Sequence, residues 1–237
     1  INLIFKIEET EKFLVERINI LGNNITRENV IRNQLLIDEG DPFNEILKNK
    51  SINEIKSLNF FKSVESNVVN GKDINSKIIN ITVDEKPTGE ISAGAGFGTS
   101  GEVLEFGVRE NNYLGKGLTV DSRLSLSTDS IKGNLNIINP NYNNSDKSIN
   151  FGLKAQQNDK LSTFGYKSSK YGTSLGTNFE YLEDFNLGLE TSVYLEKIET
   201  DSTASASQKT QEGDYFDNYV NLSFDYDKRN QKYKTTD

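Results

Sequence analysis

The chain has no cysteine, no histidine, no methionine and no tryptophan, and only 3 prolines in 237 residues. Without Cys or His, thiolate catalysis, Cys/His zinc sites and Ser-His-Asp triads are excluded. A disulfide framework is excluded as well. Without Met, Ile1 is not a natural start, so the sequence is expected to be a piece of a longer chain, and the missing signal peptide says nothing. There are 27 Lys+Arg against 35 Asp+Glu, a net charge of −8. This acidic balance argues against sequence-independent nucleic-acid binding, which needs basic surface to release counterions. No run of ~18 apolar residues exists, and the mean hydropathy of −0.60 rules out a bundle of transmembrane helices.

What is present divides near Pro87. Residues 1–88 carry 12 basic and 14 acidic side chains and the remainder 15 and 21, net −2 and −6, so neither part has a segregated basic face. In the first part, Phe13 to Leu21 reads as a strand and Gly22-Asn23-Asn24 as a turn. Thr26 is the expected N-cap of a helix with Glu28 in its first turn and an apolar stripe of Val30, Ile31 and Leu35. Gly40 fits its C-cap, and Pro42 the connection after it. Phe43, Leu47, Ile55 and Leu58 predict a second helix from about Asn44 to Leu58. Strands follow at about Phe60–Val69 and Lys77–Asp84, separated by Asn70-Gly71. The order is β-α-α-β-β, enough for one small core, with Phe60 and Phe61 as core residues. Residues Ile1–Glu8 resemble a final strand and are expected to close a preceding copy.

After Gly89 the period becomes two. Ile91, Ala93, Ala95 and Phe97 share one face, with Ser92, Gly94, Gly96 and Gly98 opposite. Seven further alternating sets begin at Leu104, Leu118, Ile131, Ile149, Tyr171, Phe185 and Phe216, with no helical segment between them. Pro87 and Pro140 lie outside these runs, as ladder hydrogen bonding demands. Two readings are open on the residues alone. One is a soluble antiparallel sheet with one wet face; the other is a transmembrane barrel, apolar toward lipid and polar inside. Several runs reach the ~9–11 residues a tilted strand needs to cross a bilayer. Aromatics near strand ends (Phe97, Tyr113, Tyr142, Tyr171, Tyr181, Phe185, Tyr215, Tyr226) fit interfacial girdles. The tight Tyr181–Phe185 turn contrasts with the long polar loop Glu199–Asp214, another barrel habit. The last residues, Lys-Tyr-Lys-Thr-Thr-Asp, offer no closing strand, so the barrel is expected to be cut in mid-course.

The residues also resemble a family. Val15-Glu16-Arg17-Ile18-Asn19-Ile20-Leu21-Gly22-Asn23, Val30-Ile31-Arg32, Glu39-Gly40-Asp41-Pro42-Phe43-Asn44 and Leu58-Asn59-Phe60-Phe61-Lys62-Ser63-Val64 resemble a POTRA domain. Val83-Asp84-Glu85-Lys86-Pro87-Thr88-Gly89, Ala93-Gly94-Ala95-Gly96-Phe97-Gly98-Thr99 and Asn111-Asn112-Tyr113-Leu114-Gly115-Lys116-Gly117 are similar to the entry strand and first periplasmic turn of the BamA family of outer-membrane assembly factors. Asn139-Pro140, Lys170-Tyr171-Gly172-Thr173 and Asp225-Tyr226-Asp227 follow in the same order. The resemblance implies an α+β POTRA domain followed by an all-β antiparallel transmembrane barrel, incomplete at about eight of sixteen strands. The implied divisions are 1–10 as the tail of a preceding POTRA domain, 11–87 as the last POTRA domain and 88–237 as the first half of the barrel. The implied location is the bacterial outer membrane with the POTRA domain in the periplasm.

The function implied by the resemblance is folding and insertion of β-barrel proteins, without enzyme chemistry, metal or cofactor. The first barrel strand, Glu90, Ile91, Ser92, Ala93, Gly94, Ala95, Gly96, Phe97 and Gly98, would pair with a client strand at an openable seam. Physically this is β-augmentation, in which unpaired N–H and C=O groups accept another strand. The glycines have a plainer explanation too, close packing against a neighbour inside the barrel; a phosphate loop is ruled out because no helix follows them. The POTRA sheet offers two edges for unfolded clients. Glu39 matches an acidic position implicated in docking an accessory lipoprotein similar to BamD, with Arg32 as a salt-bridge partner; a solvated helix end is the plain alternative for Glu39. Outer-membrane lipid is the remaining partner, and nucleic acid is not one. Carboxylate pairs such as Glu8-Glu9 and Glu183-Asp184 read as solvated turns. The competing functions are a POTRA-barrel exporter of a specific passenger (two-partner secretion or TamA-like), a passive porin and a soluble binding module.

Overall fold

The structure, a computed structural model, describes residues 12–98, 101–182 and 184–228. The expectations for Ile1–Glu8, Glu8-Glu9, Thr99, Glu183 and the last six residues lie outside these. The chain divides into two compact units between Thr88 and Gly89.

The first unit runs β1 (Leu14–Leu21), α1 (Glu28–Arg32), α2 (Glu45–Ser57), β2 (Phe61–Asn70) and β3 (Ser76–Glu85). Its sheet has the order β1-β3-β2, with β1 parallel to β3 and β2 antiparallel to it. Alternation on β3 buries Ile79, Ile81 and Val83, and these meet Val15 and Ile18 of β1 and Ile52 and Ile55 of α2 in a single core. Phe60 and Phe61 join it, their rings edge to face at 6.2 Å. Helix α2 begins where Asn44 accepts from the Ile46 and Leu47 amides at 2.9 and 3.2 Å, a side-chain cap that satisfies two otherwise orphaned donors.

The first helix departs from the sequence expectation. It is five residues long, its N-cap is Arg27, and no side chain caps it. Thr26 is instead buried, and its amide donates to Glu85 at 2.6 Å; the Asn24 and Ile25 amides donate to the same carboxylate at 2.9 Å. A carboxylate from the end of β3 thus gathers the three amides ahead of α1, a partner far too distant in sequence for local capping rules to find. Gly40 is not a C-cap either, because α1 already ends at Asn33. Gly40 sits at φ +98° in a turn that aims its N–H at the Val15 carbonyl, 2.7 Å away. Gly22, at φ +90°, is required for space as well, since a Cβ there would overlap the Val83 carbonyl.

The second unit is an eight-stranded antiparallel meander: β4 (Gly89–Gly98), β5 (Gly101–Tyr113), β6 (Leu118–Ser127), β7 (Ser130–Asn139), β8 (Ser148–Lys160), β9 (Tyr166–Leu182), β10 (Phe185–Thr200) and β11 (Gly213–Tyr226), each paired with its sequence neighbours. All eight alternating sets of the sequence are strands. Ten residues at ~3.3 Å each, tilted by ~45°, span ~23 Å, close to the ~25 Å apolar band of outer-membrane barrels; β9 and β10, at 17 and 16 residues, exceed it. The register keeps the two faces chemically distinct. Leu187, Leu189 and Leu195 of β10 oppose Phe224, Leu222 and Phe216 of β11, whereas Glu190, Ser192 and Glu196 oppose Asn221, Tyr219 and Tyr215. Tyr215 therefore lies on the polar face and is not a girdle residue. The strands are uninterrupted, but their connections are not free of helix: α3 (Leu161–Phe164) and α4 (Ala206–Lys209) are single turns too short to leave a period. Ser205 and Gln208 form a capping box at α4, and the Asp201 amide donates to the Gly165 carbonyl at 2.8 Å, tying these two connections together. No helix among the described residues is long and apolar enough to cross a membrane.

Every residue of the core cluster lies between Val15 and Val83, so residues 12–88 are expected to fold alone. In that fragment Ile55→Ala, at a position with no exposure, is expected to cost about 2–5 kcal/mol by denaturant titration. Ile46→Ala, at 68% exposure, is expected to change stability by no more than about 0.5 kcal/mol.

Acid should also weaken this unit. Burial alone would raise the Glu85 carboxyl, but the hydrogen bonds from Thr26, Ile25 and Asn24 outweigh it and hold it below its ordinary 4.5. The Ser76 hydroxyl and then the Lys72 amide do the same for Glu16. A carboxyl depressed by folding contributes stability above its unfolded value, and that contribution is lost as pH falls through the folded one. Thermal melts are therefore expected to fall as pH drops below 4.5. Glu85→Gln should lower the melting temperature at neutral pH and shrink the acid-induced fall.

Candidate strand-pairing edge

Strand β4 starts two residues after Pro87, where a residue without an N–H can stand outside the ladder. Its register with β5 sets Ile91, Ala93 and Ala95 opposite Val108, Phe106 and Leu104 on the apolar face. Glu90, Ser92, Gly94 and Gly96 oppose Arg109, Gly107, Glu105 and Val103 on the polar face. All nine residues from Glu90 to Gly98 thus lie on one strand with one hydrogen-bonded neighbour; among the described residues its other edge is unpaired. Each of its ten residues is exposed, Ile91 at 84% and Phe97 at 88%.

The polar face explains what its glycines are for, and β4 differs from the rest. On β9, a Cβ at Gly172 would overlap the Tyr194 ring, and one at Gly176 would overlap the Asn150 amide. These gaps let side chains lie flat across a strand. Asn150 of β8 reaches Glu190 of β10 at 2.9 Å above Gly176. Beside Gly172, Lys170 binds Glu196 of β10 and Asp217 of β11, both at 2.9 Å. The same ammonium stands 5.2 and 5.9 Å from the rings of Tyr194 and Tyr219, which meet edge to face at 5.8 Å. At Gly94 and Gly96 a Cβ would meet nothing within 4 Å. No described residue crowds these two positions, so close packing is not what they serve within the described part of the sheet. What glycine does there is remove side-chain packing and raise the entropic cost of ordering the strand.

The other two expected site residues come together on the first unit. Glu39 Oε1 accepts from the Ile18 amide at 3.0 Å and lies 3.7 Å from Arg32 Nη1. Arg32 Nη2 donates to the Ile18 carbonyl at 2.9 Å and Nε to Glu28 at 2.7 Å. Both side chains remain partly exposed, at 38% for Arg32 and 46% for Glu39, and both are tied to the outer edge of β1. The sequence pairs the two residues but gives no sign of Ile18, because the peptide groups of an edge strand leave no mark on residue type. Among the described residues, no group of three or more Asp, Glu, His or Cys side chains is arranged to hold a metal ion.

Residues 112–237 match the Omp85 superfamily domain and residues 13–86 the surface antigen variable number repeat, the POTRA family. The chain is 28% identical over 181 residues to the outer membrane protein assembly factor BamA of Neisseria meningitidis, covering 74% of this chain and 23% of that protein. Its fold is similar to that of BamA from Haemophilus ducreyi lacking POTRA domains 1–3, with a TM-score of 0.73, 21% identity, and 96% of this chain covering 47% of that one. It is also similar to CdiB from Escherichia coli, at a TM-score of 0.57 and 11% identity over 91% of this chain and 42% of that one. The chain spans about a quarter of the length of the curated relatives it matches. A POTRA domain ahead of antiparallel barrel strands, matched by family over more than half of the sequence, makes this chain a member of the Omp85 superfamily, an outer-membrane protein whose POTRA domain is periplasmic.

Proposed function

We propose that the protein folds and inserts β-barrel proteins into the outer membrane, with β4 as the strand on which a client strand is nucleated. The observation that carries this reading is the composition of β4, a fully exposed strand whose Gly94 and Gly96 are crowded by no described residue. In hydrocarbon an unpaired peptide group costs several kcal/mol, so a client gains most by adding its strand to an existing edge. The weakness of β4 keeps that edge available: glycine lowers the cost of separating it from whatever strand covers it. Relatives named outer membrane protein assembly factors support the same reading. No step of it involves covalent chemistry, because client folding supplies the driving force by burying backbone and lipid-facing side chains.

The POTRA domain, residues 11–87, serves in this reading as a docking module for unfolded clients and for an accessory lipoprotein at Glu39 and Arg32. Residues 88–237 serve as the first half of the barrel, and its apolar face meets lipid. A passenger exporter on the same fold is the second reading, and the first experiment separates the two.

The absence of cysteine from this sequence makes disulfide trapping clean. In the full-length protein, a cysteine at Ala93 or Ala95 is expected to trap a cysteine in the last strand of an assembling client in one register only, since bridging needs Cα atoms within about 7 Å. No trapping in any register, with assembly intact, moves the function from β4 to the POTRA domain or the barrel lumen and strengthens the export reading.

Val at both Gly94 and Gly96 tests the weak edge separately. Strand propensity scales span about 1 kcal/mol per position, so two stiffened positions are expected to slow client assembly by up to roughly thirtyfold. No described residue crowds either position, and unchanged assembly kinetics in that variant would remove the weak-edge argument.

A further inference from the structure

The edge of β1 is filled, although no strand lies on it. The Val15 amide donates to the Asp41 carbonyl at 2.8 Å, and the Gly40 amide donates to the Val15 carbonyl at 2.7 Å. The Phe43 amide donates to the Phe13 carbonyl at 2.7 Å, so the segment from Gly40 to Phe43 runs along β1 as a short antiparallel stub. Beyond the stub the main chain of Ile18 is outward-facing, and two side chains meet it: Glu39 takes its N–H and Arg32 its C=O. The two pair with each other at 3.7 Å, and Glu28 holds Arg32 from behind at 2.7 Å. A shallow groove of ≈390 Å³ is lined by these three side chains and by β1 from Arg17 to Leu21. Ile20, two residues on, is the outward position left without such cover among the described residues. β2, at the other edge of the sheet, pairs with β3 alone, and no hydrogen bond to its outer side is formed among the described residues from Lys62 to Val69.

We propose that Glu39 and Arg32 act as edge guards that decide where the POTRA sheet accepts a strand: by standing in for a neighbour at Ile18 they close β1 to an extended polypeptide and leave β2 as the accepting edge. Three arguments carry it. A charged group on a peptide N–H or C=O makes a stronger bond than a neutral one, so an incoming strand must displace a better partner than it brings. Displacement frees an arginine and a glutamate that are held by each other and by Glu28. Finally, the stub at Gly40–Phe43 shortens what remains of β1 to Ile18 and Ile20, and closing Ile18 leaves too little ladder for a strand. Covering an edge with side-chain charge is a recognised way of suppressing unwanted pairing. Here it makes one edge of the sheet inert while the other stays open.

The inference rests on the reading that the POTRA sheet receives extended segments, and the test separates the two. In the full-length protein, single cysteines at Arg17 on β1 or Asn67 on β2 are offered a synthetic peptide copying residues 216–226, an alternating barrel strand, with one cysteine moved along it. Register-specific disulfides are expected at position 67 and not at position 17. In the Glu39→Ala/Arg32→Ala background, trapping at position 17 is expected to rise about tenfold, the factor that corresponds to losing one charge-assisted hydrogen bond. Unchanged trapping at position 67 reports an intact sheet. Glu39→Gln keeps a carbonyl oxygen for the Ile18 amide and is expected to retain the closed pattern, which distinguishes edge guarding from attraction of a cationic partner. Trapping at position 17 equal to that at 67 in the unguarded and guarded proteins alike overturns the proposal, as does silence at 17 in the double variant while 67 reacts. Silence at both positions in every background overturns strand acceptance itself. Amide hydrogen exchange in the unmodified protein gives a readout independent of any variant: Ile18 is expected to be protected and Ile20 to exchange freely, and equal exchange at the two overturns the closed edge.

Discussion

A peptide group with no partner is the constraint around which this chain is organised. Water can satisfy such a group at the surface of the POTRA domain, whereas hydrocarbon cannot. The two units answer it differently. In the first, the outer groups of β1 are met by a folded-back stub and by two charged side chains. In the second, seven ladders satisfy the interior of an eight-stranded sheet, and among the described residues the unpaired groups lie on the outer edges of β4 and β11. The same physics that makes an open edge a hazard in one setting makes it a working surface in the other under the proposed function.

Electrostatics is used sparingly and mostly for holding backbone. Glu85 gathers three amides ahead of α1, Glu16 ties the Lys72 amide and the Ser76 hydroxyl, and Glu39 holds the Ile18 amide. Each is a carboxylate doing what a neighbouring strand or a helix cap does elsewhere. On the polar face of the larger sheet, charge instead spans strands, with Lys170 bridging β9 to β10 and β11. Such bonds across a strand limit shear between neighbours, and they are made on the side of the sheet remote from β4.

Much of this architecture was legible in the sequence because it is written in periods. Strict alternation from Ile91 onward marked every strand of the larger sheet, and the spacing of Phe43, Leu47, Ile55 and Leu58 marked α2. What escaped was non-local or too short. Thr26 looked like a helix cap because capping rules read three or four residues ahead, and its partner is Glu85. Gly40 looked like a helix end, because a glycine at positive φ signals a turn without saying which element it serves. Tyr215 counted as an outward aromatic until the register placed it opposite Glu196. Of the candidate site, the sequence proposed the residues of β4 and Arg32 and Glu39. Their geometry was not legible, since main-chain groups leave no trace in composition.

The two kinds of glycine on the polar face answer differently to mutational drift. Gly172 and Gly176 are fixed by volume: any larger residue collides with Tyr194 or Asn150. Such positions can change only in concert with the side chain that covers them. At Gly94 and Gly96 a Cβ would meet no described atom within 4 Å, so no steric veto from the described residues protects them. If lineages nevertheless keep glycine at both, what is being selected is the ease with which a strand lets go, a property that would register in rates of exchange long before it registered in thermal stability.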